Sequence, residues 1–318
     1  MMIKFKEIYR FYLRTTITNI WLWLAVLGST LFIPFFSIGI LIGERSGLSF
    51  VIAFNHVNMV FPLVVLGYSV WFVNKATHGK VSELFDSYSC YNWQMFFGLF
   101  TSLLVAFWVL AIDHFVVIYL LKAWCITSLS QPGITRNFWF LPFTFFNILL
   151  LVSLATFIGV MFKETLVGYV LVFSYQIMNL MYDRFLPRRF RWFAMMHTSV
   201  FKYDNYSAFG ILGNELGLFL INRLSMLFVS ALLFLIAFTL FKRYREKGRR
   251  HLWLASAVFL AMFLSCLVLH VRVSNVPVQA TAKLAEQARI ESIDLYIDQY
   301  NSTGKHLAER IDMHTSFR

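Results

Sequence analysis

Charge is scarce in this sequence. Asp, Glu, Lys and Arg make up 14% of its 318 residues, against roughly 25% in an ordinary soluble domain. Cysteine is scarce too. Cys90, Cys125 and Cys266 are odd in number and widely spaced, which supports neither a disulfide framework nor a zinc site. Nucleotide-binding and hydrolytic signatures are absent. The only Gly-Lys pairs, Gly79-Lys80 and Gly304-Lys305, lack the glycine five residues earlier that a phosphate-cradling loop needs. No H-E-x-x-H, no G-x-S-x-G and no Cys/His cluster of metal-ligand spacing occurs. There is no internal repeat, low-complexity tract or long linker.

What the chain has is apolar surface. Hydrophobic residues reach 59%, aromatic residues 19%, and mean hydropathy is +0.66. One soluble core cannot hide this much apolar surface, because a folded protein still needs a wet exterior; lipid can solvate the excess. A spanning helix takes about 20 mostly apolar residues. Seven stretches qualify: 20–43, 48–73, 95–121, 138–162, 165–182, 216–241 and 252–271. Backbone in lipid must satisfy its own hydrogen bonds, so these stretches are helices. The expected fold class is all-α, a polytopic helical membrane protein. The N-terminal segment is charged and aromatic with no cleavage site after a short apolar core, which reads as a retained segment rather than a cleaved leader.

The formal charge is +12. Because the basic residues sit between apolar runs, they read as anchors at anionic headgroups rather than as a nucleic-acid surface. With the N-terminus in the cytoplasm, the inside flanks hold 13 Lys and Arg: Lys4, Lys6, Arg10, Arg14, Lys75, Lys80, Lys163 and six in the run at 242–250. The outside loops hold 8: Arg45, Lys122, Arg136, Arg184, Arg188, Arg189, Arg191 and Lys202. The bias predicts a multi-pass protein of the plasma (inner) membrane with a cytoplasmic N-terminus. Seven spans then put the C-terminal tail outside.

Between the spans, residues 3–18 alternate charge with Ile3, Phe5, Ile8, Tyr9, Tyr12 and Leu13, a spacing that predicts an amphipathic interfacial helix. In the loop 74–94, Val81, Leu84, Phe85 and Tyr88 recur at i, i+3, i+4 and i+7, while Lys80, Glu83 and Asp86 fall mainly elsewhere around the helix. This is a short cytoplasmic helix, suited either to the interface or to docking a partner. Loop 183–215 mixes Arg with Phe, Trp and Met and reads as outer amphipathic helices. In the tail 278–300, Ile290, Ile293, Ile297 and Tyr300 share a helical face.

Ionisable and polar groups at membrane depth are candidate functional residues. Asp113 and His114 in the third span and His56 in the second are candidates for a proton relay or an intramembrane catalytic group; their bland reading is hydrogen bonding between helices. In the fifth span Thr165, Tyr169, Gln176, Asn179 and Asp183 fall on one stripe, with Val172 between. In the second, Asn55, Asn58, Pro62 and Ser69 share a face. Such stripes turn away from lipid, either lining a substrate path or holding helices together.

The order of these parts resembles the permease subunit of type-2 ABC exporters over residues 1–250. That family carries a Glu-containing helix before its third span. Here Glu83, Leu84 and the serines of 87–89 match it, Tyr91 and Asn92 stand where Pro-Ile or Pro-Val often occurs, and Gly98 falls close to the usual Gly-Lys. The segment 159–169, G-V-M-F-K-E-T-L-V-G-Y, is similar to the family's turn from the fourth span into the fifth. The resemblance implies an exporter-type transmembrane domain of six spans over 1–250. Residues 251–318 depart from it, adding a seventh span and an extracytoplasmic helical tail. It also implies two permease subunits, identical or related, around a central path, with separate cytoplasmic ATPase subunits beneath. Val81, Glu83, Leu84, Phe85, Asp86 and Tyr88 would couple to the ATPase. Asn55, Asn58, Ser69, Tyr169, Gln176 and Asn179 would line the substrate path. The chain itself would bind no cofactor and do no catalysis, ATP and Mg belonging to the partner ATPase. The competing readings are an ion-coupled secondary transporter and an intramembrane enzyme, both using Asp113, His114 and His56; a secondary transporter predicts inverted repeats, which the sequence does not show.

Overall fold

The computed structural model describes residues 5–28, 30–31, 48–79, 91–125, 141–185, 214–241 and 249–275. Every regular element among them is an α-helix. In chain order these are α1 (Phe5–Ile17), α2 (20–28), α3 (Leu48–His78), α4 (Asn92–Cys125), α5 (Leu141–Met161), α6 (Thr165–Phe185), α7 (Asn214–Leu240) and α8 (Arg249–Asn275). Four stretches among the described residues are long and apolar enough to cross a membrane: Asn92–Val117, Thr144–Met161, Ile221–Leu240 and Leu252–Leu269. With α3 and α4 at 31 and 34 residues, each helix is roughly 45–50 Å long at 1.5 Å per residue. Both are longer than a hydrocarbon core of about 30 Å. The amphipathic candidate at 81–88, most of the loop 183–215 and the tail 278–300 lie outside the described residues.

Local chemistry sets the helix ends. Asn19 caps α2, its Oδ1 accepting from the Trp21 backbone N–H at 2.9 Å, the role for which Asn is favoured at N-caps. Gln94 reaches back to accept from the Tyr91 N–H at 3.4 Å ahead of α4, half of a capping box. Helix α1 buries Ile8, Tyr12 and Thr16 at a spacing of four, one stripe of an amphipathic cylinder. That stripe packs on protein: Tyr12 meets the edge of Phe72 on α3, and Phe5 stacks on Trp93 of α4. A Cβ placed at Gly98 would stand 3.0 Å from Ile8 Cγ2, so the glycine lets α1 lie close against α4.

Residues 1–270 make one compact unit and 271–318 a second. In the first, α5 is the central helix, packing against α3, α4, α6 and α7. Its Ala155 and Gly159, both buried, form the small-xxx-small spacing that brings membrane helices together. A Cβ at Gly159 would fall 2.9 Å from Val73 Cβ and 3.2 Å from the Val70 carbonyl; one at Gly168 of α6 would fall 2.6 Å from Val70 Cγ1. Helix α3 is thus wedged between two glycine-lined neighbours. Near the start of α4, Phe96 sits among Phe234, Phe238 and Phe241, the last two at the end of α7 and just beyond it.

These contacts gather several pieces at one end of the bundle: α1, the end of α3, the start of α4, the α5–α6 turn and the end of α7. There the exposed charged residues of the described chain are Lys6, Arg10, Arg14, Lys75 and Lys163 against Glu7 and Glu164.

Candidate functional site

Polar side chains inside the bundle concentrate at two places. The first lies between α5 and α7. Arg223, 2% exposed, donates through Nη1 to Asn147 Oδ1 of α5 and, at 3.4 Å, to the Met226 thioether. Asn222, Ser225 and Ser230 of α7 and Thr144 of α5 are buried beside them in sequence. By helical rise, Asn147 lies about 21 Å from Met161 and Arg223 about 25 Å from Leu240, so the pair belongs to the end of the bundle away from α1. A cation costs about 2.5–3.5 kcal/mol to insert at the centre of a spanning helix and less towards its end, where Arg223 lies, and an amide acceptor on a neighbouring helix offsets part of that. Directly below, Leu150, Met226 and Val229 form a small apolar cluster covered by Leu233 and Phe263.

The second place is the α1 end. Asn74 of α3 donates through Nδ2 to the Phe162 and Lys163 carbonyls at 2.7 and 3.0 Å. Its Oδ1 accepts from the Thr165 hydroxyl at 3.0 Å. His78 Nε2 lies 3.2 Å from the Val160 carbonyl. The turn F-K-E between α5 and α6 leaves backbone carbonyls that its helices do not satisfy. One amide and one imidazole, on one face of α3, hold the carbonyls of 160, 162 and 163. The site joins three helices through side chain to backbone bonds, next to the segment at 80–90.

The residues singled out from sequence are distributed as follows. Gln176 and Asn179 are buried, with Asn179 Nδ2 donating to Gln176 Oε1 at 3.4 Å, so this stripe of α6 faces protein. Tyr169 is half-buried at the edge of that face. Ser69 is fully buried on α3, and its hydroxyl meets no hydrogen-bonding partner among the described residues. Asn55, Asn58 and His56 belong to α3, and their side chains lie outside the described residues, as do Asp183's and the whole set Val81, Glu83, Leu84, Phe85, Asp86 and Tyr88. His114 is buried, its Nε2 3.4 Å from the Thr30 hydroxyl and its ring edge-on to Phe61. Asp113, the next residue on α4, is exposed. Adjacent helical residues point in different directions, so the two occupy different faces. No group of three His, Cys, Asp or Glu among the described residues is placed to hold a metal ion.

Sequence reasoning passed over Arg223, Asn147, Asn74 and His78. Only Arg223 carried a local signal, as the one cation inside the apolar run 216–241. Chemically, neither site holds a nucleophile beside a base. The Arg223 site offers a cation and amides for binding polar groups, and the Asn74 site offers mechanical connection. No protein-family model matches this chain, and no curated protein matches it.

Proposed function

We propose that this chain is the membrane-spanning permease subunit of an ATP-binding cassette exporter. Seven spans carry it across the bilayer, with the N-terminus in the cytoplasm and the residues after α8 outside. It pairs with a second permease subunit to form the substrate path and works with separate cytoplasmic ATPase subunits, which bind ATP and Mg. The observation that carries the reading is the grip of Asn74 on the 162–165 turn and of His78 on the Val160 carbonyl just before it. A permease must convert a push on its cytoplasmic face into helix movement. Here the residues that run into the 80–90 segment are bonded to the turn joining α5 and α6, so a displacement of that segment reaches three helices together. The basic excess at the same end suits a cytoplasmic face. ATP binding drives the change because the partner holds it differently in two states.

The test is a pull-down of the tagged chain from solubilised membranes, with companions identified by mass spectrometry and assayed for hydrolysis. An ATPase subunit is expected in stoichiometric yield. Glu83→Ala and Phe85→Ala should leave the complex assembled while export stops, and a tag after Arg318 should be labelled in intact cells. Transport of cargo by the isolated chain in sealed vesicles, without an ATPase, would overturn the reading.

A further inference from the structure

A partly open recess of about 470 Å³ lies between α2, α3 and α6. Its walls grade from amphipathic to apolar. Trp21, Trp71 and Tyr169 stand nearest the α1 end; Ala25, Leu63, Val64, Gly67 and Phe173 lie further in, with the ring of Tyr68, whose hydroxyl is buried. Trp and Tyr are the side chains that settle at the level of lipid headgroups, with a polar tip in water and an apolar body in the hydrocarbon. The recess therefore begins at headgroup depth and runs inward along the acyl region. Lys75, one turn beyond Trp71 on α3, is exposed and holds its ammonium 4.9 Å from the Trp71 ring centroid. A cation thus stands over the shallow end, where other exposed charges are mainly basic. Gly67 makes the deep end: a Cβ there would meet no atom within 4 Å, so the glycine leaves open space. Around the recess, Leu24, Leu27, Val170 and Leu171 are exposed apolar side chains of α2 and α6, a surface suited to lipid.

We propose that this recess is a binding site for one anionic phospholipid of the surrounding bilayer, with an acyl chain lying along Gly67 and the phosphate on Lys75. The ligand is assigned by charge and gradient together: an apolar trough with polar-tipped aromatics at its mouth fits an acyl chain entering from headgroup depth, and the cation fixes the sign of the headgroup. The proposal does not rest on the transport reading.

The full-length chain, stripped of lipid in detergent, is incubated with mixed micelles of phosphatidylglycerol and phosphatidylcholine in equal amounts. Retained phospholipid per chain is then counted by headgroup. One phosphatidylglycerol is expected per chain, preferred about fivefold over phosphatidylcholine from one surface cation. Lys75→Gln should abolish the preference, and Gly67→Leu, whose Cβ would meet no atom within 4 Å, should fill the trough and release the lipid altogether while the protein stays monodisperse. Phosphatidylglycerol brominated on its acyl chain should quench tryptophan fluorescence, less so in Trp71→Phe. Equal retention of the two lipids by the unaltered chain, undiminished retention in Gly67→Leu, or a change of oligomeric state in Gly67→Leu with lipid unchanged would each overturn the proposal, the last by showing that a second copy of the chain occupies the recess.

Discussion

Helices α5 and α8 are both long enough and apolar enough to span a bilayer, yet they are used in opposite ways. In α5 67% of the spanning stretch is buried by protein; in α8 the figure is 11%, although that stretch of α8 is the more apolar of the two. The difference lies in polar content. Helix α5 buries Thr144, Asn147, Ser153 and Thr156 and carries the Ala155–Gly159 pair. Helix α8 turns Trp253, Leu254, Val258, Leu260, Leu264 and Val268 outward. In water the apolar helix would be the inner one. In lipid apolar contact is as good outside as inside, so close packing and polar partners decide which helix goes to the centre.

Removing a polar partner from the centre should break this contrast most severely. Asn147→Leu takes an acceptor from Arg223 and should lower stability by about 1.5–3 kcal/mol, the range for a hydrogen bond to a charged group. Thermal unfolding in detergent measures it, and adding Arg223→Met should recover most of the loss, because the unmet cation goes with it. Next comes the close seam. Gly159→Val forces a side chain into Val73 and should cost about 1–3 kcal/mol as overpacking, partly restored by Val73→Gly, which removes the Cβ it meets. Asn74→Ala should be milder for global stability, about 1–2 kcal/mol, but should speed amide exchange of the α5–α6 turn roughly tenfold, since 1.4 kcal/mol is a factor of ten in opening. The smallest effect belongs to α8: Leu254→Ala or Val258→Ala should stay within about 0.5 kcal/mol. A large loss there would mean that a protein rather than lipid covers that face.

The sequence made the helices legible because periodicity and length are local. Helix α1 follows the alternation of Ile8 and Tyr12 with charge, and the α5–α6 turn sits at K-E between two apolar runs. The polar sites were less legible because their partners are distant. Asn147 and Arg223 stand 76 residues apart, and Asn74 meets carbonyls 88 and 89 residues away, which carry no side-chain signature at all. Asp113 and His114 mislead for the converse reason. Neighbours in sequence invite pairing, but the helix turns one inward and the other out. The stripe on α6 was read from its 3.6-residue period, and its buried members Gln176 and Asn179 face protein as that period requires.

The wedging of α3 between Gly159 and Gly168 restricts how the molecule can deform. With valines seated against both glycines and Asn74 bonded across the turn, α3, α5 and α6 have no slack to slide past one another without lifting side chains over backbone. Such a trio behaves as one slab. Large excursions must then be taken up along its borders, and the α5–α7 border joins the Arg223–Asn147 bond to the packing of Leu150 against Met226 and Val229. That border also holds the only buried Arg or Lys among the described residues, so a shift of α7 against the slab must carry Arg223 with its amide partner or leave a buried charge unmet.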